Sequence, residues 1–447
     1  VKLRPYQERA TDLVRASYAS GHRAPLLQLP TGGGKTVIMA HAIKSAVARG
    51  REVLVNVHRS ELVTQTVAKL EAAGVTDLRI IQAASDIGNP TAKVAVASIQ
   101  TLTNWQRDRM PRADLVIFDE AHHVVAKTWA TIAGHYADAL LLGCTATPQR
   151  ADGKGLGDIF DDLVIGASVV ELTALGCLVP CRVWAAPRKL ESAQVVLSPA
   201  KAYLEHAAGR RAVVFCCSLE HARTVADEMN AEGIRTDVVH AGLASATRAD
   251  TLARLNRGGI DAVTNVHVLT EGWDDPSVSV CILARRPQHA GTFLQMVGRV
   301  LRPAPGKTHA TLIDLCGSVH DHGPPEMERE FSLDGRGIKK VDRDAIRQCL
   351  SCGGVFLAGP THCPMCGCEL PRREMALPVE VGGELVDLAT LPKLPPRTVT
   401  LSITAKYAGW CRACSSPIAV GEQIYWSSGG GKGSARHAEC PIRSAAV

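Results

Sequence analysis

The chain has 447 residues, 46% of them hydrophobic and 21% charged, with a formal net charge of +6. Such a length and apolar share support two or three domains with substantial cores, while no segment has the unbroken apolar length of a membrane span. Aromatic residues make up only 4%, which argues against an extensive base-stacking platform, and the mild positive charge permits a polyanionic partner without demanding one.

From residue 1 to 185, short apolar runs alternate with helix-like segments, and strands are expected at 25–29, 52–57, 78–82, 93–97, 114–118 and 139–144. Alternation of this kind predicts a parallel sheet covered by helices. A second alternating block occupies 186–330, with strands expected at 212–216, 236–239, 262–265, 278–284 and 310–313. A compact cysteine cluster lies within 340–375, a linker rich in Pro and Gly with some strand character spans 376–405, and a last Cys/His cluster fills 406–447. The fold class expected is α/β: two tandem parallel-sheet domains followed by two small zinc-binding modules. No hydrophobic run follows the charged residues of Val1-Lys2-Leu3-Arg4-Pro5, so the segment does not read as a signal peptide and a soluble, cytoplasmic protein is expected.

The strongest chemical signal is Leu29-Pro30-Thr31-Gly32-Gly33-Gly34-Lys35-Thr36, set between an apolar run and the helix-like Val37–Ile43. Strand, glycine loop and helix N-terminus make a phosphate cradle: the glycines let backbone N–H groups turn toward a β-phosphate. In such a cradle Lys35 reaches the β- and γ-phosphates and the Thr36 hydroxyl ligates Mg²⁺. Leu29 stands where the usual pattern has its first glycine, a position that only has to start the turn. Farther along, the buried-strand run Asp114–Phe118 ends in Asp119-Glu120-Ala121-His122. Carboxylates at the C-terminal end of a parallel strand sit beside the phosphate loop. There Asp119 holds Mg²⁺ through its water shell and Glu120 orients and deprotonates the attacking water.

The order Gly34-Lys35-Thr36, Asp119-Glu120-Ala121-His122, Thr145-Ala146-Thr147 and Gln295-Met296-Val297-Gly298-Arg299-Val300-Leu301-Arg302 resembles a superfamily 2 helicase of the DEAH-box type, over residues 3–320. The resemblance implies two RecA-like domains with ATP and Mg²⁺ between them, and nucleic acid across their top. Leu3-Arg4-Pro5-Tyr6-Gln7 resembles the segment that reads the adenine edge, with Gln7 hydrogen-bonded to the base and Arg4 stacked on it. Val57–Gln65 and Ser98–Leu102 resemble strand-contacting motifs, implying phosphate contacts from Arg59 and Thr101. Thr264-Asn265-Val266 and Thr270–Pro276 resemble the coupling motif: Thr264 touches nucleic acid, while Gly272 and Asp274 face the nucleotide. Thr145 and Thr147 are implied to relay between hydrolysis and strand contact. Arg299 and Arg302 are three apart, so they share one face of a helix. Their guanidinium forks suit a γ-phosphate in flight, reached across the cleft from the second domain.

Of fifteen cysteines, Cys144, Cys177, Cys181, Cys216, Cys217, Cys281 and Cys316 are scattered in mostly apolar contexts and read as small buried hydrophobes, whereas eight crowd into the last hundred residues. Cys349, Cys352, Cys363 and Cys366 form C-x₂-C…C-x₂-C, resembling a zinc ribbon; Cys368 is a spare thiol. Four thiolates complete a tetrahedron and leave no open position, so this Zn²⁺ is structural. Cys411, Cys414, His437 and Cys440 make a second possible zinc site, resembling the small modules of the poly(ADP-ribose) polymerase finger type that bind DNA ends. Arg412, Lys432 and Arg436 make it basic, and Tyr425 and Trp426 are placed to stack on bases. The reading expected is an ATP-dependent helicase or translocase on nucleic acid, DNA before RNA. The alternatives are a remodeller that hydrolyses ATP without separating strands and a DNA-end-binding zinc scaffold.

Overall fold

The computed structural model describes residues 2–58, 60–82, 85–105, 109–123, 131–132, 134–150, 155–186 and 194–334, with short stretches 346–348, 355–357, 361–362, 367–369, 379–380, 386–387, 400–404, 409–411, 414, 416–427 and 434–437. The chain divides into two compact units, Val1–Ala389 and Thr390–Val447.

The first unit holds two sheets. In the first, β1 (Pro25–Gln28), β2 (Val53–Val57), β3 (Leu78–Gln82), β4 (Ser85–Gly88), β5 (Val94–Ser98), β6 (Leu115–Asp119), β7 (Leu140–Thr145) and β8 (Asp162–Ile165) are ordered β4-β3-β5-β2-β6-β7-β1-β8. All pairs are parallel except β3 with β4. The central strands β1, β2 and β5 are buried along their whole length, which is why they read as continuous apolar runs rather than alternating ones. The edge strand β4 is exposed and polar, and Arg79 clips it to β3 through Asp86 at 2.7 Å. Its residues carry no apolar run, so no strand was expected there; nor was one expected at β8, where only half of the residues face the core.

The second sheet contains β9 (Cys181–Ala185), β11 (Ala212–Phe215), β12 (Thr236–Val239), β13 (Ala262–Asn265), β14 (Val280–Leu283) and β15 (Ala310–Asp314), in the order β12-β13-β11-β14-β15-β9; the two-residue β10 (Gln194–Val195) lies outside it. These six strands are parallel, and Val386–Asp387 adds an antiparallel edge to β9. One expected boundary therefore moves. Cys181–Ala185 pairs with β15, so the second lobe's sheet begins before residue 186; an outer strand can join its sheet from a distant part of the chain, which local pattern does not reveal. Within the expected linker 376–405, Val379–Glu380 pairs with β10, Val386–Asp387 with β9, and Thr400–Thr404 with Gln423–Ser427 in the second unit.

The two lobes of the first unit share one apolar core. Leu172, Leu178 and Val179 from the end of the first lobe belong to the same cluster as Val297, Val300 and Leu301 of the second. Val179 N–H donates to Leu301 O at 2.8 Å. Backbone approaches side chain at three glycines on this seam: a Cβ on Gly298 would lie 2.6 Å from Thr31 Cβ, one on Gly291 2.9 Å from Thr147 Oγ1, and one on Gly272 2.6 Å from Leu62 Cδ2.

The second unit carries an antiparallel three-stranded sheet, Thr400–Thr404, Gln423–Ser427 and Ser434–His437, and a short pair, Gly409–Trp410 with Pro417–Ile418. Directly after that first short strand, Cys411 N–H donates to Ser416 O at 2.8 Å.

Phe160 is 1% exposed and its ring fills the space over Gly143, where even a Cβ would collide at 2.4 Å. Phe160→Ala is expected to lower the stability of the first lobe by about 3–5 kcal/mol, read as an earlier midpoint in urea unfolding.

Candidate active site

The phosphate loop is fixed from both sides. Gly32 and Gly34 have φ of 85° and 82°, a left-handed conformation that other residues adopt at a cost. Gly33 N–H donates to Pro30 O at 2.9 Å, and Tyr6 Oη donates to Gly33 O at 2.9 Å, so the helix Pro5–Ala19 clamps the loop. Glycine is needed for space as well: a Cβ on Gly34 would lie 2.4 Å from Gln7 Nε2, and one on Gly33 2.8 Å from Leu29 Cγ. Leu29 is fully buried and its N–H donates to Thr145 O at 2.9 Å, so at this position the side chain is the floor of the loop. The loop ends at Lys35, the first residue of the helix Lys35–Ala48, whose N-terminal dipole favours an anion.

β6 delivers the carboxylates. Asp119 is its last residue, and Glu120 follows with φ of 48°, a strained left-handed turn of the kind found at functional sites. Glu120 N–H donates to Asp119 Oδ1 at 3.0 Å. Lys35 Nζ lies 3.8 Å from Glu120 Oε1. Burial and the neighbouring Glu120 push the Asp119 carboxyl above its ordinary range. Burial also acts upward on Glu120, but Lys35 and His122 outweigh it and hold that carboxyl low. Glu120 Oε2 is buried without a hydrogen bond, 3.5 Å from His122 Nδ1. An ionised, unsatisfied carboxylate oxygen is suited to take a proton from water.

The second lobe faces this cluster with two arginines. Arg299, which ends the helix Ala290–Gly298, is 4% exposed. Its Nε and Nη2 donate to Thr270 O at 2.9 and 2.7 Å and Nη1 to Trp273 O at 2.7 Å. Arg302 pairs with the exposed Asp274. Burial lowers both guanidinium pKa values, that of Arg302 to about 10. A cavity of about 390 Å³ separates the groups, bounded by Lys35, Thr36, Asp119 and Glu120 on one side and Gly272, Asp274, Arg299 and Arg302 on the other. His122 is fixed across the seam: its Nδ1 lies 2.9 Å from Thr145 Oγ1, and Gln295 Nε2 donates to its Nε2 at 2.8 Å. Thr145 Oγ1 in turn donates to Thr147 O at 2.9 Å.

Two residues of the site had no role in the sequence reading. Lys69 lines the cavity, where burial pushes its ammonium down against the pull of Asp119. Its only signal is a cation on a helix that also lines the cavity with Leu62, Gln65 and Thr66. Glu271 also lines it and accepts from His123 Nε2 at 2.5 Å. Burial acts upward on Glu271, but the nearby His122 and His123, the latter hydrogen-bonded to it, hold its carboxyl far below the ordinary range.

Other expected site residues are distributed differently. Gln7 is buried, and its Oε1 accepts from Arg4 N–H at 3.0 Å, while Arg4 itself is exposed. Thr31 is buried against Gly298. Thr101 is buried too, its hydroxyl 2.9 Å from Ser98 Oγ at the start of the helix Ile99–Thr103. Thr264 is corrected: it sits inside β13, fully buried, and donates to Ala222 O at 2.9 Å, so it does not reach a strand on the surface. Motif matching placed it, but a parallel central strand buries both faces. Arg59, Cys349, Cys352, Cys363, Cys366 and Cys440 lie outside the described residues. Cys411, Cys414 and His437 come together: Cys414 Sγ is 3.3 Å from His437 Nδ1, His437 N–H donates to Cys411 Sγ at 3.4 Å, and the three possible ligand atoms lie within 4.8 Å of one another. Hydrogen bonds from Ser416 and His437 hold the Cys414 thiol below its ordinary range, as suits a metal-binding thiolate.

Known proteins share this arrangement. The family model described as "Type III restriction enzyme, res subunit" matches residues 1–150, and that described as "Helicase conserved C-terminal domain" matches residues 194–304. A 51.5 kDa protein of a Lactococcus phage is 27% identical over 383 residues, 80% of this chain and 81% of its own. A Schizosaccharomyces pombe protein that carries the name mitochondrial ATP-dependent helicase irc3 is 28% identical over 77% of this chain and 64% of its own. A DNA 3'-5' translocase XPB2 of Sulfurisphaera tokodaii is 30% identical over 154 residues, 34% of this chain and 33% of its own. This chain thus spans under two thirds of the length of the last two. Among solved structures, a fragment of an HsdR subunit of a type I restriction enzyme from Vibrio vulnificus YJ016 superposes with a TM-score of 0.58 at 21% identity, over 74% of this chain and 69% of that one. The two parallel sheets are RecA-like domains of the helicase fold.

Gly34→Ala sets a Cβ against Gln7 in a left-handed turn. It is expected to weaken binding of a fluorescent ATP analogue about ten-fold or more, with far-UV circular dichroism unchanged.

Proposed function

We propose that this chain, which carries the paired motor domains of a superfamily 2 helicase, hydrolyses ATP to drive movement along DNA. The observation that carries the reading is that the cavity puts Lys35, Asp119 and Glu120 of one lobe opposite Arg299 and Arg302 of the other. Half of the charges needed for phosphoryl transfer lie on each side of a seam. Hydrolysis is then tied to lobe closure, and closure is what a motor converts into a step.

In this reading Gly32, Gly33, Gly34 and the helix N-terminus cradle the β-phosphate, and Lys35 bridges to the γ-phosphate. Thr36 and Asp119 would hold Mg²⁺, which would supply charge neutralisation at the phosphate oxygens. Glu120 takes the proton of the attacking water. Arg299 and Arg302 stabilise the charge that spreads over the γ-phosphoryl oxygens, with Arg302 exchanging Asp274 for phosphate. Gln7 and Arg4 face the adenine, and Arg59 grips a strand phosphate. The DEAH subtype is supported by His122, which bridges Thr145 to Gln295 as a coupler between the lobes. DNA is favoured over RNA because the matching family is a restriction subunit and one relative is named a DNA translocase. Two structural zinc sites belong to this reading: Cys349, Cys352, Cys363 and Cys366 would hold one ion, and Cys411, Cys414, His437 and Cys440 a second. The second is supported by the convergence of three of its ligands.

ATP turnover is measured with single-stranded DNA, duplex DNA and RNA. Stimulation by DNA is expected, and Glu120→Gln should lower kcat by about 10²-fold or more while still binding ATP; no turnover by the wild type under any condition would defeat the motor reading. Arg299→Ala should lower kcat about 10³-fold with ATP affinity little changed. Elemental analysis of the purified chain should find two zinc ions, and a chelator should lower the melting temperature of the C-terminal unit without shifting that of the lobes.

A further inference from the structure

We propose that His58 and His123 form a relay that makes ATP hydrolysis respond to strand binding, with Glu271 of the second lobe as its receiving end. The inference rests on the motor reading above. His58 follows the last residue of β2 and directly precedes Arg59, the residue assigned to the strand. Its ring stacks on that of His123, with centroids 4.4 Å apart and planes inclined by 17°. His123 closes the short turn Ala121–His123 after β6, and its Nε2 donates to Glu271 Oε1 at 2.5 Å. The next ring, His122, lies 4.1 Å from His123 by centroid, and His122 Nε2 is 3.9 Å from the same Glu271 oxygen.

Both groups beside His123 touch a part that matters to hydrolysis. Glu271 sits between Thr270, whose carbonyl takes two hydrogen bonds from Arg299, and Gly272, which packs on Leu62. A shift of Glu271 therefore moves the anchor of Arg299. The neighbouring His122 has its Nδ1 3.5 Å from the unsatisfied Glu120 Oε2. Neither His58 nor His123 lines the cavity, so neither ring is needed to hold phosphate. What they do is join the segment beside Arg59 to a half-buried carboxylate of the opposite lobe. A half-buried carboxylate that loses its hydrogen-bond partner loses stabilisation, so making or breaking the His123 bond changes where Glu271 sits. A strand that draws the His58 segment into one position favours the made state, and the relay reports it to both Glu120 and Arg299.

The test is ATP turnover by the full chain, titrated with whichever DNA stimulates the wild type. For His123→Ala, turnover without DNA should stay within about two-fold, while the DNA-stimulated maximum falls about ten-fold, a coupling loss of ordinary size. The DNA concentration at half-maximal effect should hardly move, which separates lost coupling from lost binding. His58→Ala should behave the same way, whereas His58→Phe keeps a flat ring for the stack and should retain stimulation. The His58→Ala/His123→Ala double variant should be no worse than either single one. The relay is overturned if His123→Ala or His58→Ala is stimulated as fully as the wild type. It is equally overturned if free and stimulated turnover fall by the same factor, or if His58→Phe fails as His58→Ala does. The His58 pair decides the matter even where His123→Ala does not fold. A wild type that DNA does not stimulate would instead sink the motor reading on which the relay depends.

Discussion

Close backbone approach across the seam between two parallel sheets is the constraint on which the rest of the structure depends. Gly272, Gly291 and Gly298 present bare backbone to Leu62, Thr147 and Thr31, and a Cβ at any of them would lie within 3 Å of its neighbour. Only with that approach can Gln295 reach His122 and the two arginines look onto the carboxylates of β6. A seam sealed by large side chains would bury more apolar surface, but it would hold the arginines too far from the phosphate loop for a γ-phosphate to bridge them.

The chemistry follows from what that seam encloses. Lys35, Lys69, Arg299 and Arg302 face Asp119, Glu120, Glu271 and Asp274 around one small cavity. Burial alone would neutralise such groups. Here each carboxylate is tuned by particular neighbours: Asp119 is pushed up by burial and by Glu120, while Glu120 and Glu271 are held ionised by Lys35 and the histidines. When the lobes meet, a cluster of this kind offers its cations and an uncommitted carboxylate oxygen to a triphosphate.

Much of this was legible in the chain before its structure. Eleven of the strands, the phosphate loop and both ends of the cleft follow from apolar runs, glycines and carboxylates at the ends of strands. What was not legible depends on distant packing. Cys181–Ala185 looks like the end of one domain and serves as an outer strand of the next. Thr264 carries the right motif but points into the sheet, where its hydroxyl serves Ala222 O. Lys69 and Glu271 acquire meaning only when two lobes meet, since each is an ordinary charged residue in its local sequence. The His58–His123 stack is likewise invisible in the sequence, because the two residues follow different strands of one sheet and are aligned by the pairing of β2 with β6.

The central claim is that the hydrolytic site is assembled by closing the two lobes. Its most direct test is single-molecule fluorescence transfer between dyes on two exposed positions, Arg49 in the first lobe and Glu232 in the second. The account predicts that a non-hydrolysable ATP analogue converts a broad, low-transfer distribution into one narrow high-transfer state, and that Arg299→Ala weakens the conversion. A distribution that is the same with and without nucleotide, in a protein that turns over ATP, would contradict it.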